Sequence, residues 1–436
     1  VSFLDIPDQP FVIANASMPA CLTAASLATD AQGLSRANIR IEGGKIAAIS
    51  PSGEATPDGL KVVDADGGLV LPMLVDMHTH LDKGYIWKRA PNPDGTFTGA
   101  LEATTTDRTA RWNAEDVRRR MDFGLRSAYA HGTALIRTHL DSIPPQDEIS
   151  WPVFQETREE WRGRIELQAV ALFGIEAVFE GTFLDRIAKR VKQAGGTLGA
   201  VTYMIDALDA ALDKVFRTAS RHGLDLDFHV DETLDPQAAS LSLIAQKALD
   251  HRFEGRIVCG HCCSLSAQTP GEVDRTLDLV ARAGIGIVSL PMCNLYLQDR
   301  LQGRTPRRRG VTLLHEMKAR GIPVSVASDN TRDPFYAYGD LDMLEVFAQA
   351  TRILHLDHPV DDWIRTVTAT PADLLGRSVF GRIDVGQHAD ILVLRTRDWN
   401  ELLARPSGDR IVLRGGRKID RKLPDYRELD DLMGSE

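Results

Sequence analysis

Leu69-Val70-Leu71-Pro72-Met73-Leu74-Val75-Asp76-Met77-His78-Thr79-His80 is the stretch from which the fold can be read. An apolar run with so little polarity predicts a strand buried on both faces, as in a parallel sheet. It ends in two histidines spaced i, i+2. A strand repeats every two residues, so His78 and His80 project from one face with their imidazoles close together. Two neutral imidazoles converging at a strand end suit a borderline divalent cation such as Zn2+ or Fe2+.

Downstream, to about residue 380, short apolar strands alternate with long helical patterns, the rhythm of βα units. Helices are expected at 114–130, 151–162, 183–194, 208–222, 235–249, 272–283 and 314–319. Strands are expected at 134–138, 166–172, 224–229, 256–261, 286–289 and 323–328. About eight such repeats in this length fit an α/β fold of the (β/α)8 barrel type. The segment 83–106, rich in Pro, Gly and Thr, reads as a long loop over the barrel mouth. Both chain ends have another texture, with short period-two runs at 11–13, 37–41 and 45–49 and again at 389–394 and 410–419. The expected organisation is a barrel domain over 67–380, flanked by a small β-sandwich built from 1–66 and 381–436.

Composition narrows the function classes. A net charge of −10 over 436 residues weighs against a nucleic-acid binder that works by phosphate neutralisation. The basic run Arg304-Thr305-Pro306-Arg307-Arg308-Arg309 is the local exception and reads as a solvated loop or anion clip. No apolar stretch is long enough to span a membrane, and no signal-peptide pattern opens the chain. The five cysteines are odd in number, and Cys259, Cys262, Cys263 and Cys293 lie in or near apolar runs. They read as reduced, buried thiols of a cytoplasmic protein. Cys259-Gly260-His261-Cys262-Cys263 lacks the second Cys/His pair that a structural zinc site needs.

Further strand ends carry chemistry. His229 closes one predicted strand and Glu232 follows three residues later; His261 closes another, and Asp329 a third. In a (β/α)8 barrel all C-terminal strand ends face one mouth, so residues far apart in sequence converge there. Three His and one Asp would bind one divalent ion, Zn2+ or Fe2+, and leave room for a water whose pKa the ion lowers. His139 also ends a strand and is expected to stand behind that set. Other histidines lack this placement.

Met77-His78-Thr79-His80-Leu81-Asp82, Phe228-His229-Val230-Asp231-Glu232, Gly260-His261 and Ser328-Asp329-Asn330-Thr331 resemble the amidohydrolase superfamily. More narrowly they resemble its cytosine deaminase branch, as do Ile136-Arg137-Thr138-His139-Leu140-Asp141 and Gly339-Asp340-Leu341-Asp342. The resemblance implies the barrel with its flanking sandwich. It makes His78, His80, His229 and Asp329 ligands of one Zn2+ or Fe2+, His261 a hydrogen-bond partner of the hydroxide formed there, and Glu232 the acid/base. Asp329 would also take up the water proton. Strands 166–172 and 199–204 offer no Lys for carbamylation, which disfavours a binuclear site.

The departures bear on substrate. Cytosine deaminases read the pyrimidine edge with a Gln after the third barrel strand; here Gly174 stands at that place, with Glu176 two residues on. Asn330 replaces a second Asp. Asp82-Lys83 and Asn330-Thr331-Arg332-Asp333 are similar instead to triazine enzymes of the N-isopropylammelide aminohydrolase type. Gly174 and Asn330 are therefore the candidate substrate-binding positions, and cytosine is not the expected best substrate. The reading is hydrolytic deamination of a small amino-heterocycle with release of ammonia. Alternatives are hydrolysis of a cyclic or linear amide at the same site, or a non-catalytic scaffold of the same fold. A homo-oligomer is expected only from the general frequency of such assemblies.

Overall fold

The opening apolar run is not one strand. In the computed structural model, which describes residues 3–434, Val70–Pro72 and Leu74–Thr79 belong to different sheets. Pro72 has no N–H to extend a ladder, and at Met73 the backbone N–H donates to Asp390 O (3.1 Å). Both halves are fully buried, so hydrophobicity is silent about the switch.

Val70–Pro72 lies in the first of two compact units, which comprises the chain up to Val75, Arg126–Leu135 and Asp342–Leu423. This unit holds two four-stranded sheets. One runs in the order Lys45–Pro51, Leu34–Glu42, Phe11–Pro19, Lys61–Asp64; the other Arg417–Lys418, Arg410–Arg414, Ile391–Leu394, Val70–Pro72. Alternate residues of these strands, among them Phe11, Ile13, Ile39, Ile41, Ile391 and Val393, meet in one buried cluster. That is the consequence of period-two patterning with one apolar face.

The second unit comprises Asp76–Leu125, Ile136–Leu341 and the chain from Pro424. A five-stranded sheet of Leu198–Thr202, Leu226–Val230, Ile257–His261, Gly286–Ser289 and Val324–Val326 is parallel throughout. A three-stranded sheet orders Leu74–Thr79, Thr133–Asp141 and Glu166–Leu172. Parallel bridges Val170↔Thr197 and Gly174↔Val201 join the sheets at one end, and Thr79↔Asp329 at the other. This mixed α/β arrangement is consistent with a TIM-like barrel, in which C-terminal strand ends gather at one face.

Helices Phe183–Ala194, Leu208–His222 and Leu314–Ala319 stand where their periodicity places them. The helix expected from 235 begins at Ser240, because Asp235 closes a local turn instead, its Oδ1 accepting from Gln237 N (2.9 Å). The segment 83–106 is not all loop: Phe97–Arg111 is a helix, with Thr96 Oγ1 accepting from Gly99 N (3.0 Å) at its start. Among the described residues no helix is long and apolar enough to cross a membrane.

Candidate metal centre and active site

His78 lies in Leu74–Thr79 and His80 directly follows it, His229 lies in Leu226–Val230, His261 ends Ile257–His261, and Asp329 follows Val324–Val326. All five are at least 95% buried. His78 Nε2 lies 3.1 Å from His229 Nε2, and His229 Nε2 lies 3.3 Å from His80 Nε2. Asp329 Oδ1 is 3.1 Å from His80 Nε2 and 3.6 Å from His78 Nε2. Four donors about 2.1 Å from one ion at tetrahedral angles would stand about 3.4 Å apart.

The strand ends are shaped for this convergence. Gly260 gives room to the His78 ring, since a Cβ there would sit 3.0 Å from Cε1 and 3.2 Å from Nδ1. His261 and Asp329 take left-handed backbone conformations, φ 68° and 61°. Such residues cost of order 1 kcal/mol or more and persist where surrounding contacts hold them. Here Asp329 N donates to His78 O (2.9 Å) and Thr79 Oγ1 to Asp329 O (2.8 Å).

The electrostatics suit a cation. Burial depresses the pKa of His78, His80 and His229 well below the usual imidazole value, so all three present neutral, ligating rings. Burial also pushes Asp329 up to about 7; a cation among these donors would reverse that shift. Both Asp329 carboxylate oxygens are buried without a hydrogen-bond partner among the described residues. Three imidazoles and an orphaned carboxylate are a donor set that fits one borderline divalent ion.

The four-residue grouping whose potential ligand atoms all lie within 4.8 Å of one another takes His261, in place of His80, with His78, His229 and Asp329, but the His261 tautomer points to another task. Asn294 Nδ2 donates to His261 Nδ1 (3.0 Å) and to Glu232 Oε1 (3.1 Å). A ring whose Nδ1 accepts carries its proton on Nε2, and burial, the leading cause, brings its pKa down to about 3. Nε2 of His261 is therefore a buried N–H donor without a partner among the described residues. Glu232 is shifted the other way: burial, then the negative charge of Asp329, hold its carboxyl well above the ordinary range. Gln298 Nε2 fixes its backbone by donating to Glu232 O (3.0 Å). Asn294 escaped the sequence reading; its only signal was a polar residue in the apolar run Pro291-Met292-Cys293 that follows a strand.

The His139 ring lies against His78, with centroids 3.9 Å apart and planes tilted by 32°. His78, His139 and Asp227 form a second grouping within 4.8 Å. There, however, Arg137 already neutralises Asp227 at 2.9 Å, leaving a second cation less to gain. On another side Lys83 Nζ reaches Asp141 Oδ1 (2.9 Å), and Arg108 holds Asp141 Oδ2 (2.7 Å). Burial works against the Lys83 charge, but Asp141 and Asp82 outweigh it and hold its pKa above the usual value.

His80, Lys83, Asp141, His229, Glu232 and Asp329 line a cavity of about 930 Å3 with apolar walls that include Phe97, Phe173, Phe183 and Phe335. Gly174 and Asn330 both line it. The Asn330 amide is engaged within the protein, Nδ2 donating to Asp333 Oδ2 (2.8 Å) and Oδ1 receiving Cys293 Sγ (3.7 Å). The basic run at 304–309 folds around Asp299, which accepts from Arg304 and from Arg308 N (3.0 Å).

Comparison with known proteins agrees with this geometry. The model of the Amidohydrolase family matches residues 124–417. A pterin deaminase of Rhizobium rhizogenes is 54% identical over 435 residues, covering 100% of this chain and 99% of that protein. An N-isopropylammelide isopropyl amidohydrolase of a Pseudomonas species is 25% identical over 373 residues, covering 82% of this chain and 87% of the relative. The solved structure of a 5-methylcytosine deaminase from Klebsiella pneumoniae shares the fold, with a TM-score of 0.81 at 23% identity over 95% of this chain and 98% of that one. The chain belongs to the amidohydrolase family and is a hydrolase acting on C–N bonds.

Proposed function

We propose that this enzyme hydrolytically deaminates a pterin, exchanging the 2-amino group of a 2-amino-4-oxopteridine for oxygen and releasing ammonia. The observation that carries the reaction type is the convergence of His78, His80, His229 and Asp329, with Glu232 and His261 beside them and all but His78 lining one cavity. The choice of a pterin rests on the full-length relative. A cavity of about 930 Å3 with aromatic walls also suits a bicyclic ring better than it needs to for a lone pyrimidine.

His78, His80, His229 and Asp329 would hold one Zn2+ or Fe2+. Such an ion supplies Lewis-acid activation of water. Glu232, kept protonated by its burial, is the general acid: it delivers a proton to the ring nitrogen beside the carbon under attack. Once ionised it carries a second proton to the departing amine. His261 Nε2–H donates to the oxygen as negative charge develops on it, and Asn294 holds both groups in register. Asp329 Oδ2 accepts the first proton released by water and returns it to Glu232, which passes the second proton of the attacking oxygen to the amine, so that both carboxyls end the cycle as they began. In net balance the two water protons match the one gained by the ring nitrogen and the one gained by ammonia. Asn330 is proposed to shape the substrate wall, and Gly174 to leave there the room that the Glu176 carboxylate takes. The barrel is proposed as the catalytic domain over 67–380, and the two terminal sheets as a β-sandwich from 1–66 and 381–436.

The test is ammonia release from a panel of pterins, cytosine, amino-triazines and amino-purines by Zn2+- or Fe2+-loaded enzyme. Pterin turnover at about 10^4 M−1s−1 or above, with the corresponding 2,4-dioxopteridine as product, is the expected result. Turnover of another panel member without any pterin turnover overturns the substrate reading.

A further inference from the structure

A vacancy at Gly174 is filled by a neighbour. Gly174 has an ordinary extended backbone (φ −65°), so no conformational need calls for glycine. A Cβ built there would lie 2.3 Å from Glu176 Oε1 and 2.7 Å from Oε2. The Glu176 carboxylate occupies the volume that a side chain at 174 would take. The bridge Gly174↔Val201 ties this turn to the next strand, and two residues beyond Val201 the Tyr203 hydroxyl donates to Glu176 Oε2. Burial, and then the adjacent carboxylate, push the phenol pKa up, so Tyr203 keeps its proton. Oε1 has no hydrogen-bond partner among the described residues. Both side chains line the cavity that holds His80, His229 and Glu232. Tyr203 is 42% exposed.

We propose that Glu176 and Tyr203 together read the lactam edge of the substrate and select 4-oxo over 4-amino pteridines. This rests on the pterin reading above. A carboxylate oxygen beside a phenolic O–H presents an acceptor next to a donor, much as a primary amide does. A 2-amino-4-oxopteridine offers the complement next to its reacting carbon: N3–H donates to Glu176 Oε1, and the 4-oxo group accepts from Tyr203 as its hydroxyl turns from Glu176. A 2,4-diaminopteridine reverses the pattern. Its N3 lone pair faces the carboxylate, and its 4-amino group faces a donor. Polar groups left unpaired in this way discriminate by large factors.

The experiment compares kcat/KM for pterin and for 2,4-diaminopteridine in wild type, Glu176→Gln and Tyr203→Phe, with metal content measured in each. In Glu176→Gln the amide oxygen accepts from Tyr203 and the NH2 turns to the ring, so the preference moves toward the diamino compound. We expect pterin kcat/KM to fall about 100-fold while that for the diamino substrate changes less than about threefold, at unchanged metal content. Tyr203→Phe, which loses the donor alone, lowers pterin turnover by about tenfold. If the wild type turns over pterin but the two substrates fall in step in Glu176→Gln, or pterin is unaffected, this specificity role is overturned alone. If the wild type turns over no pteridine, the pterin reading falls and this inference with it.

Discussion

At the scale of single residues, the site is an arrangement of groups whose protonation is set by burial. In the proposed mechanism Glu232 bears the proton-transfer work, so Glu232→Gln should lower kcat by about 10^2–10^4-fold. Metal bound per chain should stay at wild-type level, because Glu232 is outside the four-donor set; lost metal would assign it to that set instead. Asp333 offers a test of burial itself. It accepts from Phe335 N (2.8 Å), Tyr336 N (3.2 Å) and Asn330 Nδ2 (2.8 Å), yet burial dominates and pushes its pKa up to about 6. The folded value exceeds the unfolded one. Its contribution to stability is therefore full below about pH 4 and is lost as pH rises through about 6. An amide at this position does not titrate. Urea unfolding of Asp333→Asn and wild type between pH 4.5 and 7.5 should show the variant gaining on wild type as pH rises, by at most about 3 kcal/mol. A pH-independent difference would show that Asp333 is ionised throughout.

At the scale of elements, what the sequence disclosed follows from where apolar signal and structure coincide. Strand ends with His229, His261 and Asp329 were legible because fully buried strands read as apolar runs and a barrel gathers their C-terminal ends. The helix Phe97–Arg111 was not, because its Thr-rich sequence has weak helix propensity and no clear apolar stripe. Contacts such as Asn294 to His261, or Glu176 in the space at Gly174, bring together residues that no spacing rule links. The same holds for Arg120, which is 0% exposed. From the helix Ala114–His131 it donates to Asp116 Oδ2 (2.6 Å), Asp82 O (2.7 Å) and Gly84 O (3.1 Å), clamping the turn that carries Lys83. Arg89 also pairs with Asp116 (2.5 Å), so removing Arg120 leaves that carboxylate only partly compensated. Arg120→Met should cost about 3 kcal/mol, read as a lower urea midpoint together with faster hydrogen exchange in the turn after His80. Faster exchange there with no change in midpoint would make the clamp local rather than global.

At the scale of the molecule, one buried core lies within the first unit and the donor cluster within the second. The first unit packs its sheets around Phe11, Ile13, Ile391 and Val393, and its buried pair Arg410–Asp342 (2.6 Å) is complete within the protein. The second unit places His78, His80, His229 and Asp329 at the ends of its own strands, with an orphaned carboxylate at their centre. A divalent ion bound there stabilises the second unit by its binding free energy, about 4 kcal/mol for free metal at 1,000 times Kd. Its removal leaves crowded neutral imidazoles beside a carboxyl that takes a proton at about pH 7. Chelation should therefore lower the unfolding temperature of the second unit and leave the first almost unmoved. In calorimetry a single transition should broaden or split. Hydrogen exchange should then assign the early part to strands such as Leu226–Val230 and Ile257–His261, with Phe11–Pro19 and Ile391–Leu394 still protected. If chelation shifts both sets of strands equally, the units unfold together and the ion's contribution belongs to the whole chain; if it shifts neither, the four donors hold no ion.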